Sequence, residues 1–246
     1  MRKLSYKLIK YYYYKVTSIL FFNKNKTLLK FTKIYLLNAW GDNESVSGPG
    51  STLKNTKSLR KRLPLLCKKF NIKSILDVPC GDFNWMKNFL KKKNNIEYMG
   101  GDIVKEIIIN NNKLYKKKNI SFKQIDILKD KLPKYDLMIC RDCLMHFSNE
   151  DIFKSFINFS NSSIKYLLTT SHLENKKGKF KNIKNKDIVT GGFRFLDLFS
   201  KPFNLNKKVL YTIDDCEFEI GKKIKSKMYL FTKQDIKRIL RANKKL

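Results

Sequence analysis

The sequence predicts an α/β fold built on a doubly wound, mostly parallel sheet of about seven strands with an antiparallel edge strand. Short apolar runs alternate with helical or polar segments, and four of the first five runs carry an acid at or near their end. The five runs are SILDV at 74–78, EYMGGDI at 97–103, ISFKQIDI at 120–127, YDLMICRD at 135–142 and IKYLLTTS at 164–171. Strands that alternate with helices are typical of βαβ units and a parallel sheet.

Two later runs complete the sheet. KVLYTIDD at 208–215 and KMYLFTK at 227–233 are joined by a polar link, which favours an antiparallel pair at the sheet edge. Before the first strand, GDNESVSGPGST at 41–52 is rich in Gly, Ser and Pro and predicts a loop. A chain of 246 residues has room for one large domain. We predict that domain at 40–246, after a partly helical N-terminal extension at 1–39.

The charge of the chain is strongly positive and has two interpretations. The 53 basic residues outnumber the 21 acidic ones and give a formal net charge of +32, which is typical of proteins with polyanionic partners. Only seven of the 53 are arginine, and Asn, Ile, Tyr and Phe are abundant, as an A/T-rich coding sequence would produce. Compositional bias and a polyanion-binding surface therefore both remain open.

The cysteines and the N-terminus indicate a cytoplasmic protein. Five cysteines at irregular spacing, without a secretory signal, are typical of a reducing compartment. Cys140 and Cys143 have CxxC spacing, but no second pair completes a four-ligand zinc site, so we predict no metal. The apolar run at 16–22 is too short to span a bilayer. Contact with a membrane surface and packing as a helix are the alternatives for this segment.

Acids mark the ends of the predicted strands. Asp77, Asp102, Asp126 and Asp142 lie at or just after four strand ends, where doubly wound sheets bind their ligands. Asp turns and caps would explain one or two of them, whereas four together predict an acidic cleft in a basic protein. Asp102 follows Asp77 by 25 residues, close to the spacing at which an acid after the second strand binds ribose hydroxyls. This spacing indicates a nucleoside-containing cofactor.

The loop after the first strand indicates which cofactor. A dinucleotide site requires G-x-G-x-x-G, so that the backbone can approach a pyrophosphate. Here the loop DVPCGDFNWM, at 77–86, has only Gly81, and Asp82 beside it would repel a phosphate. S-adenosylmethionine carries no phosphate, but a sulfonium and an ammonium that acids attract. The loop therefore favours a methyl donor over NAD.

Five motifs in the same order along the chain resemble the class I S-adenosylmethionine-dependent methyltransferases. More narrowly, they resemble the bacterial and viral branch linked to glycan or capsule biosynthesis, which includes sugar O-methyltransferase domains. The motifs are SVSGPGST at 45–52, DVPCGDFNWM at 77–86, GGDIV at 100–104, LPKYDLMICRDCLMHFS at 132–148 and TGGFRFLDLFSKPF at 190–203. The resemblance implies a Rossmann-like fold, S-adenosylmethionine as cofactor, and a sugar, nucleotide-sugar or glycan acceptor.

The resemblance also implies which residues hold the methionine part of the cofactor. Asp77, Cys80 and Gly81 would shape its pocket. Asp82 would hold the ammonium group, and Arg141 would close on the carboxylate. From its residue type alone, Cys80 is a small packing residue rather than a chemical group.

For the nucleoside part, the resemblance assigns three further strand-end positions. Asp102 would bind the ribose hydroxyls, and Asp126 would meet the adenine amino group. Ile103 and Ile127 would lie against the adenine ring.

Methyl transfer to a sugar hydroxyl benefits from a general base, and the chain has two histidines. His146 follows Asp142 by four residues, which on a helix would bring both side chains to one face. We predict His146 as the base and Asp142 as its orienting partner, with a purely structural His146 as the alternative. His172 and Arg194 are predicted to contact the acceptor, and the basic loop at 173–192 is either a lid for an anionic acceptor or an insertion.

Two other function classes stay open from the sequence. A nucleic-acid methyltransferase is favoured by the charge, although no DPPY-like or NPPY-like motif for a flipped base is present. A non-catalytic polyanion-binding protein on the same fold is the other alternative, against which the strand-end acids and the candidate base argue.

Overall fold

The computed structural model describes residues 26–91, 95–176, 179–206, 208–219 and 223–244. The apolar run at 16–22 and its predicted membrane-surface contact lie outside these residues. Within the described ranges, no helix has the length and apolar character that crossing a bilayer requires.

The described residues form helices on a central sheet. The helices are α1 (Lys26–Leu37), α2 (Lys57–Lys69), α3 (Met86–Leu90), α4 (Lys105–Tyr115), α5 (Asn149–Asn161) and α6 (Lys233–Ala242). The strands are β1 (Ser74–Asp77), β2 (Glu97–Asp102), β3 (Ile120–Gln124), β4 (Leu137–Cys140), β5 (Tyr166–Lys176), β6 (Lys179–Asn182), β7 (Tyr211–Glu219) and β8 (Lys223–Thr232). Two 3-10 turns, Pro49–Ser51 and Leu144–His146, lie beside the site described below.

The sheet has the order β3-β2-β1-β4-β5-β8-β7. Strands β1 to β5 pair in parallel, whereas β8 runs antiparallel to both β5 and β7. The predicted mostly parallel sheet and the antiparallel pair of late strands are confirmed. The reversed strand β8 lies inside the sheet, however, and β7 is the edge.

The predicted loop at 173–192 is partly wrong. Strand β5 continues to Lys176, and β6 pairs with its end, from Leu173 opposite Asn182 to Lys176 opposite Lys179. The sequence did not predict this hairpin, because its residues are mostly polar or charged and form no apolar run.

Burial explains why the inner strands have such short and apolar sequences. All four residues of β4 are buried, as expected for a parallel strand covered by helices on both faces. On α2, Leu59, Leu63 and Leu66 are fully buried and recur at helical spacing. The Oγ of Ser148 accepts a hydrogen bond from the backbone N–H of Asp151 and starts α5 directly after the fourth strand's loop.

The strand order indicates at which edge of the sheet a ligand binds. Strand β1 lies between β2 and β4, so the chain turns in opposite directions on either side of it. Ligands bind at such a switch point, outside the carboxyl ends of the strands.

Candidate active site

A cavity of about 330 Å³ opens at this edge of the sheet. Asp77 ends β1 and Asp102 ends β2, while Asp126 and Asp142 follow β3 and β4, and all four line the cavity. The predicted cleft of strand-end acids is therefore present. The other predicted site residues that line it are Cys80, Gly81, Ile103, Ile127, Arg141 and His146.

Three of the four acids, Asp77, Asp102 and Asp126, are buried, and Asp77 is the most deeply buried. Asp77 is 2% exposed, and the hydroxyl of Tyr98 donates to its Oδ2 at 2.9 Å. Burial raises the pKa of Asp77 to about 7, although the Tyr98 hydrogen bond and Arg141 oppose that rise. A buried carboxylate of this kind is stabilised by a ligand that brings a positive charge or a hydrogen-bond donor.

Asp102 is held by the backbone of two loops. Its Oδ1 accepts from the N–H of Val104 at 2.9 Å, and its Oδ2 accepts from the N–H of Gly81 at 3.2 Å. Burial raises the pKa of Asp102 to about 6, against the lowering effect of these hydrogen bonds. These hydrogen bonds fix the Asp102 carboxylate beside the loop that follows β1.

Cys80 lines the cavity as a packing residue. It is 7% exposed, and burial raises the pKa of its thiol well above the ordinary value. The nucleophilic thiolate is therefore not formed near neutral pH. This agrees with the packing role predicted from its residue type.

Gly81 permits a close approach between two loops. Its φ is +53°, and a Cβ at this position would lie 2.1 Å from the Oγ of Ser47. An L side chain therefore meets both an unfavourable backbone conformation and a steric clash.

We expect Gly81→Ala to displace Ser47 and to lower both the thermal stability of the protein and its affinity for a ligand in the cavity. Gly41→Ala is the matched control, because Gly41 has a φ of +67° but an added Cβ there would meet nothing within 4 Å. Thermal melts should show a loss from backbone strain of about 1–2 kcal/mol in both variants and a larger loss in Gly81→Ala. Equal losses in the two variants would contradict the clash.

The structure corrects the role of Asp82. Its carboxylate accepts hydrogen bonds from the Oγ of Ser45 at 2.9 Å, the N–H of Val46 at 3.0 Å and the Oγ of Ser47 at 3.2 Å. Asp82 does not line the cavity, so the prediction that it holds a cofactor ammonium is wrong. It instead fixes the loop at 45–51, whose residues 46–51 line one side of the cavity.

Arg141 is buried between two carboxylates. Its Nε donates to Asp215 Oδ2 at 2.8 Å, and its Nη1 lies 3.1 Å from Asp142 Oδ2. Its Nη2 donates to the carbonyl of Gly50 at 2.8 Å. Burial alone would lower the pKa of Arg141, but Asp142 and Asp215 raise it above its ordinary value. Its contact with a cofactor carboxylate stays a prediction, because its charge is already balanced within the protein.

His146 is oriented by a backbone carbonyl. Its Nδ1 lies 2.8 Å from the carbonyl oxygen of Gly192, and its ring packs between Trp40 at 5.3 Å and Phe193 at 5.9 Å between centroids. Because a carbonyl only accepts, Nδ1 carries the hydrogen and Nε2 is the basic atom of the neutral ring. Burial lowers the pKa of His146, against opposing effects of Gly192 and Asp142. A neutral imidazole with a free basic nitrogen is suited to accept a proton.

The predicted pairing of Asp142 with His146 is wrong. Residues 144–146 form a 3-10 turn and not an α-helix, and Asp142 stands before it with a φ of +49°. The Asp142 carboxylate pairs with Arg141, while the Gly192 carbonyl orients the imidazole. The spacing of four residues brings two side chains together only on a continuous α-helix, which this segment does not form.

The comparisons agree with this geometry. Residues 75–162 match a family described as "Methyltransferase domain", a range that holds the four strand-end acids and His146. An S-adenosylmethionine-dependent methyltransferase of Leishmania major superposes with a TM-score of 0.55 at 15% identity, over 82% of each chain. Residues 75–162 thus match a methyltransferase domain, and the chain has the fold of an S-adenosylmethionine-dependent methyltransferase.

A human methyltransferase shares the fold of this domain. Human N-acetylserotonin methyltransferase, solved in complex with S-adenosylmethionine, superposes with a TM-score of 0.51 at 12% identity. The match covers 83% of this chain but only 56% of the human one, so the chain spans little more than half of that enzyme. No curated protein sequence matches the chain. The likeness to both structures is one of fold, since the identities are low.

Two predicted acceptor contacts lie outside the cavity. His172 is completely buried on β5, where its Nδ1 lies 3.1 Å from the carbonyl oxygen of Leu196. Arg194 is 8% exposed and donates through Nη2 to the carbonyl of Phe147 at 3.0 Å. Neither residue lines the cavity, so both predictions are wrong. The apolar run ends at residue 171, but β5 continues to Lys176. His172 therefore lies within the sheet and not at its ligand-binding edge.

One wall of the cavity was not predicted from the sequence. Thr27, Phe31 and Tyr35 of α1 line it, as does Trp40. The first three recur every four residues, so they share one helix face, and this spacing was the available signal. The boundary at residue 39 stays a prediction, but the described part of the extension belongs to the site.

Proposed function

We propose that the protein transfers the methyl group of S-adenosylmethionine to a hydroxyl of a sugar or glycan, with His146 as the general base. The observation that carries this proposal is the position of His146: a neutral imidazole, oriented through Nδ1, lines the same cavity as the four strand-end acids.

The cavity fits S-adenosylmethionine by the chemistry of its lining. Asp77 and Asp102 offer buried carboxylates to a cationic ligand that carries ribose hydroxyls. The cavity volume falls at the lower end of the range for small-ligand sites. When bound, S-adenosylmethionine supplies a methyl group activated by the positive sulfur.

Three acids would each bind a different part of this cofactor. Asp102 would accept hydrogen bonds from the ribose hydroxyls, and Asp126 would meet the adenine amino group. Asp77, which is buried at the end of β1, would stabilise the positive charge of the methionine part.

The chain's own residues also prepare the transfer. His146 would accept the hydroxyl proton at Nε2, while Gly192 stabilises the resulting imidazolium through Nδ1–H. Residues of α1 and of the loop at 46–51 line the cavity and would shield the bound reactants from water. Holding both reactants in line would supply a large part of the rate enhancement.

The affinity for S-adenosylmethionine is expected to fall as the pH is lowered from 8 to 5. Asp77 and Asp102 have pKa values of about 7 and about 6, so both carboxylates are ionised at pH 8 and become protonated below those values. Protonation removes the negative charge that the cationic cofactor requires. Equilibrium dialysis with labelled cofactor across this range measures the effect. Asp102→Asn should remove the step near pH 6, and a pH-independent affinity in the wild type would contradict the assignment.

The acceptor class is tested by methyl transfer from radiolabelled S-adenosylmethionine to a panel of monosaccharides, nucleotide sugars and oligosaccharides. We expect a labelled ether product from at least one sugar. A protein that binds the cofactor but labels only RNA or DNA would contradict the sugar acceptor.

A nucleic-acid acceptor is the second candidate function. It is favoured by a basic groove beside the start of α2, lined by Lys54, Lys57, Lys61 and Arg62. Binding to phosphates through such side chains weakens steeply with salt. Labelling of RNA or DNA that disappears at high salt, without labelling of any sugar, would support this function.

A further inference from the structure

One side of the cavity is built from aromatic rings. We call it the aromatic wall, and it consists of Phe31, Tyr35, Trp40, Phe147 and Phe193. The strand-end acids and the isoleucines assigned to the nucleoside lie at the loops after β1, β2 and β3, so the donor does not account for this wall. His146 packs directly against two of its rings, Trp40 and Phe193. The wall therefore lies against the candidate base.

Phe193 stands at the rim and is held there although it is 54% exposed. The backbone on either side of it is fixed, because Gly191 N–H donates to the carbonyl of His146 at 2.8 Å and Arg194 N–H donates to that of Met145 at 3.2 Å. An exposed aromatic ring on a fixed backbone is a ready contact for a flat apolar ligand face.

Two hydrogen-bond acceptors in the cavity lack a donor within the described part of the chain. Asp142 Oδ1 is buried and has no hydrogen-bond partner there, since Arg141 pairs with Oδ2. His146 uses Nδ1 for Gly192, which leaves the basic Nε2. A buried carboxylate oxygen without a donor is costly, and a hydroxyl group from a ligand would remove that cost.

We propose that the aromatic wall is the acceptor subsite and that it takes a pyranose ring bearing two neighbouring hydroxyl groups. This inference rests on the proposed function. The C–H face of the ring packs on Phe193 and Trp40, one hydroxyl donates to His146 Nε2, and the adjacent hydroxyl donates to Asp142 Oδ1. A sugar combines an apolar face with hydroxyl donors along its edge, as this arrangement requires.

The methyl transfer requires no reactant other than the sugar and S-adenosylmethionine. The hydroxyl oxygen forms a bond to the methyl carbon as the sulfur–methyl bond breaks, and the bonding electrons stay on sulfur. The hydroxyl proton passes to His146 Nε2. The products are the sugar methyl ether, S-adenosylhomocysteine and an imidazolium that returns its proton to water.

Saturation-transfer difference NMR tests this subsite without turnover. The protein is saturated with S-adenosylhomocysteine, and the probes are methyl pyranosides of mannose, galactose, glucose, rhamnose and fucose, with catechol as an aromatic diol. We expect at least one pyranoside to bind and its mono-deoxy analogue, which lacks one of two neighbouring hydroxyls, to bind more weakly. Phe193→Leu should weaken pyranoside binding roughly two- to tenfold, the effect of losing one aromatic contact.

Controls separate the subsite from a general loss of structure. Val189→Ala alters the same segment at an exposed residue that does not line the cavity, and it should leave binding unchanged. Asp142→Ala should remove the preference for the diol over the deoxy sugar, with retained S-adenosylhomocysteine affinity as the check on folding.

Binding of catechol but of no pyranoside, or of no probe at all, would overturn the subsite. So would pyranoside binding that Phe193→Leu and the deoxy analogues leave unchanged. If sugars are methylated while these variants behave as wild type, the inference fails and the proposed function stands. If the protein does not bind the methyl donor, the proposed function itself fails.

Discussion

Replacing His146 with alanine is expected to lower kcat by roughly 10²–10⁴-fold, the usual contribution of a general base. The affinity for S-adenosylmethionine should stay near the wild-type value, because His146 lies at the aromatic wall and not among the acids assigned to the cofactor. The measurement is steady-state turnover with the best acceptor of the sugar panel, together with dialysis of labelled cofactor.

A pH profile and a second variant separate a base from a packing residue. Burial lowers the pKa of His146, so the wild-type rate should rise with pH and reach its plateau at a lower pH than an unperturbed histidine would give. His146→Gln keeps a donor for the Gly192 carbonyl but accepts no proton, and it should be as slow as the alanine variant. Full activity of either variant between pH 6 and 8 would show that His146 is only structural.

Replacing Asp102 with asparagine is expected to weaken S-adenosylmethionine binding roughly ten- to a hundredfold, the effect of losing charged hydrogen bonds. The amide keeps the size of the carboxylate but loses its charge, and its NH₂ group faces either Val104 N–H or Gly81 N–H, both of which are donors. Dialysis of labelled cofactor measures the loss.

Asp136→Asn is the matched control for Asp102→Asn. Asp136 Oδ2 accepts from the backbone N–H of Lys73 at 3.0 Å and of Ser74 at 3.1 Å, so it also fixes two backbone donors through a carboxylate. It lies at the opposite end of β1 and does not line the cavity. We expect Asp136→Asn to lower stability and to leave cofactor affinity unchanged. Equal losses of affinity in both variants would indicate a general effect on folding.

The strand-end acids could be predicted because their position follows from chain order alone. Parallel strands end at one edge of the sheet, so Asp77, Asp102 and Asp126 had to meet once the alternation of strands and helices was recognised. Ile103 and Ile127, which the family resemblance assigned to the adenine ring, also line the cavity.

The errors concern side-chain direction and strand length, which sequence spacing does not give. Asp82 is adjacent to the cofactor loop, but its carboxylate turns to Ser45 and Ser47, which are distant in sequence. The orienting partner of His146 is a backbone carbonyl, Gly192, and carbonyl groups have no sequence signature. His172 follows an apolar run that continues as a strand, so it is buried in the sheet.

Equilibrium dialysis of the intact protein with radiolabelled S-adenosylmethionine tests donor binding in the strand-end cavity most directly. We expect one bound cofactor per chain at pH 8, competition by S-adenosylhomocysteine, and weaker binding in Asp102→Asn but not in Asp136→Asn. A folded wild-type protein that retains no labelled cofactor at pH 8 would contradict the assignment of this cavity.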